Sequence, residues 1–168
     1  MIWCPTSNDF LLGTSINISV LAHAHRVALG TDSRLSGERD LLAEIKFAAT
    51  HHGVNADNLL RMVTVDAALL LKLPDAGVLR PGVPADFMVL PAGAEGIPRN
   101  ILNTDRSRIR LVVLGGRAQI GDADMRPAFA AAGIQCVEAC LDGSAKVIDK
   151  ALADRIRSCA MQEPGFEL

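Results

Sequence analysis

The sequence predicts an α/β fold, and three of its features indicate this class. Residues 1–5 and 26–29 are short apolar stretches with the composition of strands. Each leads into polar residues, the first into an expected turn at residues 6–9 and the second into Thr31, Asp32 and Ser33. Helical patterns follow these stretches, and short strands separated by glycine and proline occupy the later part of the chain. A strand whose carboxyl end delivers polar side chains is where α/β barrels place their chemistry.

The helices of the first half are predicted from spacing and capping residues. A helix is expected over residues 15–25, with Ile16 and Val20 on one side. Asp40 is expected to cap the next helix, and Gly53 to end it. The apolar face of that helix is expected to contain Leu41, Leu42, Ile45, Ala48, Ala49 and His52. Two shorter helices are then expected, one from Ala56 or Asp57 and one with Thr64 as its N-cap.

The second half is predicted to be rich in strands. The clearest strands cover residues 86–90 and 110–114, with a loop over residues 91–108 between them. Gly115 and Gly116 are expected to form a turn that returns the chain into a further strand. The remaining expected elements are a helix over residues 125–132, a hairpin turning at Asp142 and Gly143, and a helix over residues 149–160 with Asp149 as N-cap.

Composition excludes several classes of function. The net charge of the 168-residue chain is −2 with both signs mixed along it, so no basic face for nucleic acid is expected. No apolar run approaches the ~20 residues that span a bilayer. The apolar stretch after residue 15 is preceded by Asp9 and no basic residue, unlike a signal peptide, so we expect a cytoplasmic protein. The four cysteines lack the spacing of a zinc ribbon and are expected to be reduced thiols.

Three segments occur in an order and at a spacing that resemble one known family. They are residues 4–8 (C-P-T-S-N), residues 27–33 (V-A-L-G-T-D-S), and a helix from Thr64 followed by residues 77–86 (G-V-L-R-P-G-V-P-A-D). They are similar to three features of the amidohydrolase superfamily, in its deaminase and chlorohydrolase-like branch. These features are the C-P-x-S-N turn after the seventh barrel strand, the eighth strand with its metal-binding aspartate, and the G-x-L-x-P-G-x-x-A-D segment that leaves the barrel.

The resemblance implies the C-terminal part of a TIM-like (β/α)8 barrel with part of a small β-sandwich. Residues 1–73 would supply strands seven and eight with the helices that follow them. Residues 74–121 would supply sandwich strands, and residues 122–168 would form a C-terminal extension of helix, hairpin and helix.

The resemblance also implies a reaction and a set of site residues. The family hydrolyses carbon–nitrogen bonds of cyclic amides, amidines or aminated heterocycles with a hydroxide bound to a divalent metal, zinc or iron. Asp32 would be a metal ligand and would accept the proton of the attacking water. Ser7 and Asn8 would contact substrate, although Asn8 could equally hold an Asx turn. Thr31 and Ser33 would orient Asp32.

Other ligands of the family site are not found in this chain. In the family an H-x-H pair follows the first strand, and further histidines follow the fifth and sixth. His23 and His25 have H-x-H spacing, but they are expected at a helix end, where side chains two residues apart point ~200° apart. One aspartate does not hold a catalytic metal, so we expect this chain alone to be inactive. The alternatives are a non-catalytic remnant, a split subunit that pairs with an N-terminal half or with itself, and a small binding module.

Overall fold

The computed structural model describes every residue from Met1 to Leu168, and these residues divide into two units. Unit 1 comprises Met1–Val83 and Ala92–Asn103, and unit 2 comprises Pro84–Pro91 and Thr104–Leu168. Both helices and strands are present, as the α/β assignment predicted. None of the helices combines the length and apolar character that crossing a membrane requires.

Unit 1 contains two short strands and six helices. They are β1 (Ile2–Trp3), α1 (Pro5–Leu12), α2 (Ser19–His23), β2 (Ala28–Leu29), α3 (Leu41–His52), α4 (Ala56–Met62), α5 (Val65–Leu70) and α6 (Ile97–Leu102). β1 and β2 form a two-stranded parallel sheet in which Ile2 pairs with Ala28 and Trp3 with Leu29. Parallel pairing places the carboxyl ends of both strands at the same edge of the sheet.

Two expectations for the first thirty residues are wrong. The polar turn expected at residues 6–9 is part of α1, because Pro5 supplies the φ of a first helical turn and Asn8 N donates to Cys4 O at 3.0 Å. The helix expected over residues 15–25 is limited to α2. Its buried side is formed by Ile18 and Ala22, whereas Ile16 and Val20 are exposed.

The capping predictions for α3 are confirmed. Asp40 Oδ1 accepts a hydrogen bond from Ala43 N at 2.9 Å, and Gly53 ends the helix with φ +64°. Thr64 precedes α5 but does not cap it with its side chain, because its hydroxyl donates to Leu60 O at 2.6 Å. Its backbone carbonyl still accepts the first helical bond, from Ala68 N.

Unit 2 is built on one antiparallel sheet of six strands. The elements are β3 (Phe87–Val89), β4 (Leu111–Leu114), β5 (Arg117–Asp122), α7 (Arg126–Ala131), β6 (Cys136–Leu141), β7 (Ser144–Asp149), α8 (Lys150–Arg157) and β8 (Phe166–Glu167). The strand order is β3-β4-β5-β7-β6-β8. Gly115 and Gly116 join β4 to β5, and both have the positive φ of a two-residue hairpin turn. The core beside this sheet contains Leu111, Val113, Ala118, Phe129, Ile134 and Val147.

The observed division differs from the expected boundaries at residues 73 and 121. Residues 122–168 are not an appendage, because β7 pairs with β5 and thereby continues the sheet that β3 and β4 begin. The loop expected over residues 91–108 contains α6, which belongs to unit 1. Gly96 precedes α6, Pro98 occupies its first turn, and Ile101 is buried. Short helices of this kind are difficult to predict because packing, more than periodicity, stabilises them.

Unit 1 offers a direct test of its core. Leu59 in α4 is fully buried, so Leu59→Ala should lower the free energy of unfolding by about 2–5 kcal/mol through lost burial and an added cavity. Trp3, the single tryptophan of the chain, lies buried in the same unit and allows its unfolding in urea to be followed by fluorescence. The matched control is Leu69→Ala at an exposed site in α5, expected to stay within about 0.5 kcal/mol of the parent. Equal effects of the two substitutions would contradict this packing.

Candidate functional site

The carboxyl ends of β1 and β2 approach each other closely. Gly30 follows β2, and a Cβ atom at this position would lie 2.8 Å from Ile2 Cγ2 and 3.1 Å from Cys4 Sγ. Any larger residue would therefore require the Ile2 or Cys4 side chain to shift. The glycine of the G-T-D-S segment thus has a packing reason that is independent of chemistry.

Asp32 lies two residues beyond Gly30, at the edge of the sheet where both strands end. Its backbone is left-handed, with φ +52°, and its side chain is exposed. The pKa of the Cys4 thiol depends on the groups that surround it. Burial raises the pKa of Cys4, the negative charges of Asp32 and Glu44 raise this pKa further, and a hydrogen bond with the Asp32 backbone partly opposes them. The structure therefore brings Asp32 together with the segment that follows β1.

The loop after β2 is tightly folded. Ser33 O accepts hydrogen bonds from Ser36 N at 3.0 Å and from Gly37 N at 2.7 Å. A Cβ atom at Gly37 would lie only 2.0 Å from Thr31 O, so this position requires glycine. The Ser33 hydroxyl accepts from Leu35 N at 3.2 Å and so closes the turn. The predicted orienting role of Thr31 and Ser33 towards Asp32 stays a prediction.

The two expected substrate contacts, Ser7 and Asn8, lie in the first turns of α1. Ser7 is buried, and its Oγ lies 2.7 Å from Ser36 Oγ in the loop after β2. Asn8 Nδ2 donates to Ser15 Oγ at 3.2 Å, and Trp3 Nε1 donates to the same oxygen at 2.7 Å. Ser7 therefore joins the two strand-end segments, while Asn8 faces the start of the next connection. Contact of either residue with substrate stays a prediction.

Glu44 in α3 contacts both segments of the candidate site, and the sequence did not predict this. Its side chain is fully buried, and it accepts hydrogen bonds from Thr6 N at 2.9 Å and from Glu38 N at 3.2 Å. These two donors belong to the segments that follow β1 and β2. The available signal was its position in the apolar face, since Leu41, Glu44, Ile45 and Ala48 have i, i+3, i+4, i+7 spacing.

The histidines make separate contacts. His23 Nδ1 lies 2.6 Å from Ser19 O of its own helix, whereas His25 Nδ1 lies 3.2 Å from Asp66 Oδ2. His52 Nε2 lies 2.9 Å from Asp9 Oδ2. His23 and His25 therefore contact different residues, despite their H-x-H spacing.

The residues of this chain do not fit a bound metal. No group of three or more histidine, cysteine, aspartate or glutamate side chains lies close enough to hold an ion. Asp32 would provide one carboxylate, and a catalytic zinc normally has three protein ligands.

Comparison with known proteins gives consistent results. The sequence model of the amidohydrolase family matches residues 2–118 of this chain. A 5-methylthioadenosine/S-adenosylhomocysteine deaminase of Pelotomaculum thermopropionicum is 35% identical over an alignment of 97 residues, and the match covers 52% of this chain and 22% of that protein.

Solved structures give the same pattern. A triazine hydrolase variant is 25% identical with a TM-score of 0.61, and the match covers 79% of this chain and 34% of that one. A mutant atrazine chlorohydrolase of Arthrobacter aurescens, crystallised with zinc and atraton, is also 25% identical, with a TM-score of 0.60 and the same coverage. The chain therefore spans about a third of the length of these structures and about a fifth of the deaminase.

The proximity of Cys4 and Asp32 can be measured by thiol chemistry. Asp32→Asn removes a negative charge that raises the pKa of Cys4, so more thiolate should be present near neutral pH and alkylation should be faster. Site-resolved mass spectrometry after iodoacetamide treatment separates Cys4 from the other cysteines. Asp40→Asn removes the same charge at the α3 cap, where asparagine also caps well, and should leave the rate unchanged. A slower or unchanged Cys4 rate in Asp32→Asn would place the two groups apart.

Proposed function

Because this chain belongs to the amidohydrolase family, we propose that it forms the last two β/α units of a TIM-like barrel and contributes Asp32 to a hydrolytic metal site. The parallel register of β1 and β2 supports this proposal most directly, because it brings the C-P-T-S-N and G-T-D-S segments to one edge of the sheet. Under this proposal β1 and β2 correspond to barrel strands seven and eight. The antiparallel sheet of unit 2 corresponds to the strand-rich region outside the barrel.

The proposed reaction of the complete site is hydrolysis of a carbon–nitrogen bond in a small molecule. A deaminase named for methylthioadenosine and S-adenosylhomocysteine is among the relatives, and the similar structures include triazine hydrolases. Aminated heterocycles are therefore the substrate class to test first. Asp32 would supply a carboxylate to the metal, and Ser7 and Asn8 would lie at the same edge of the sheet.

This chain by itself is proposed to be inactive, since the remaining metal ligands must come from other barrel segments. The small sheet agrees with this, because β1 and β2 pair only with each other and their outer edges carry no partner strand. Ile2 of β1 is 59% exposed, which is unusual for a residue of a barrel strand. The missing segments could lie on the same polypeptide or on a separate one.

A split subunit is the second candidate, and the unpaired strand edges favour it. Exposed strand edges promote association, so this chain would bind a complementary barrel segment or a second copy of itself. Light scattering of the purified chain tests this candidate. A stable, monodisperse monomer that does not bind a co-expressed N-terminal barrel segment would argue against it.

The first functional prediction concerns the metal content of the isolated chain. After dialysis against dilute zinc, elemental analysis should find well below one zinc per chain, because a single carboxylate gives too few ligands. No turnover is expected on a panel of aminated purines and triazines. Stoichiometric, tightly bound zinc together with turnover would show that the site is complete without further segments.

The second functional prediction uses a hybrid enzyme. The part of the Pelotomaculum deaminase that precedes its matched region would be fused to this chain, which would complete the barrel. The hybrid should bind zinc and deaminate methylthioadenosine. Asp32→Asn in this hybrid should lower kcat by about a hundredfold or more, because even groups that only orient a metal ligand matter by 10- to 100-fold.

Asp40→Asn is again the matched control in the hybrid and should retain activity, since asparagine replaces aspartate at an N-cap with little loss. Equal activity of the Asp32→Asn and parent hybrids would remove Asp32 from the site. A folded hybrid without zinc or activity would count against the assignment of β1 and β2 to the barrel.

A further inference from the structure

One buried carboxylate connects the two segments that form the candidate site. Glu44 is 0% exposed, and its two oxygens accept from different parts of the chain, Oε1 from Thr6 N and Oε2 from Glu38 N. Thr6 is in the first turn of α1, directly after β1. Glu38 lies in the loop that begins after β2.

Both donors need such an acceptor. The backbone N–H groups in the first turn of a helix have no partner within that helix, and a carboxylate near them is also favoured by the helix dipole. Glu38 precedes the cap of α3 and lies in a loop, outside any sheet ladder. Hydrogen bonds to a charged acceptor in a buried place are stronger than neutral ones, and losing one leaves a buried polar group unsatisfied.

The same two segments are held by a second, weaker contact. Ser7 Oγ lies 2.7 Å from Ser36 Oγ. Ser7 directly follows Thr6, and Ser36 lies two residues before Glu38. Gly37 lies between Ser36 and Glu38, packed against the carbonyl of Thr31. Movement of Glu38 would therefore be transmitted through a tightly folded loop to Asp32.

We propose that Glu44 is a positioning residue, which fixes the distance between the start of α1 and the loop that carries Asp32. It acts through the backbone of Thr6 and Glu38 and does not contact substrate. Its value for catalysis rests on the proposed function, but the geometric role is a property of this chain. Helix α3 thereby serves as the rigid element that sets the site.

The test compares Glu44→Gln with Glu38→Gln in the full chain. An amide has one acceptor oxygen, and its NH2 group cannot accept from the second backbone N–H. In Glu44→Gln we therefore expect hydrogen exchange at Thr6 N or Glu38 N to accelerate by about tenfold or more. The nuclear Overhauser contact between the Ser7 and Ser36 side chains should weaken or disappear. Glu38→Gln keeps the backbone donor and should change neither observation.

A general loss of stability would give a different pattern. It would accelerate exchange throughout unit 1, including the amide of Ala48 in the buried part of α3. Positioning alone leaves Ala48 protected. Unchanged exchange at Thr6 and Glu38, uniform acceleration across unit 1, or a retained Ser7–Ser36 contact would each overturn the inference.

Glu44→Asp covers the case in which Glu44→Gln does not fold. Aspartate keeps the charge but is one methylene shorter, so it reaches only one of the two donors. Exchange should then accelerate at one of Thr6 and Glu38 only, and full protection of both would overturn the inference. These measurements need neither metal nor turnover, so their failure is distinct from failure of the hybrid enzyme.

Discussion

The parallel pairing of Ile2–Trp3 with Ala28–Leu29 is the constraint on which the candidate site depends. Two residues in each strand are enough to bring Cys4 and Gly30 to the same edge, because parallel strands end on the same side. Gly30 allows the close approach, since any side chain there would meet Ile2 and Cys4. The Asp32 turn and the start of α1 are neighbours for this reason.

Helix α3 contacts both of these neighbouring segments through Glu44. Its apolar face packs through Leu42, Ile45 and Ala48, and Glu44 lies in the same buried face. A charge in such a place is costly unless it is fully hydrogen-bonded, and here two backbone N–H groups satisfy it. Burial of the helix and order in the two strand-end segments are thereby coupled.

The sheets of the two units differ in how many of their strands are paired on both sides. In unit 2, six strands pair in one sheet, and the outermost β3 and β8 have only three and two residues, which limits pairing with other chains. In unit 1, β1 and β2 are also only two residues long, but they pair only with each other, so each keeps one edge without a partner strand. Hydrophobic residues make up 49% of the chain, which agrees with the proposal that further barrel segments would cover part of its surface.

By itself, the sequence determined the α/β class, the caps at Asp40 and Gly53, and the hairpin turns, because these depend on local spacing and on the backbone preferences of single residues. The family was indicated by the resemblance of three segments to known members. Only the tertiary structure decided that residues 122–168 continue the sheet of unit 2, that α6 exists, and that Glu44 is a buried link. Those features depend on contacts between residues distant in sequence. A local sequence pattern does not predict which backbone donor a buried carboxylate will bind.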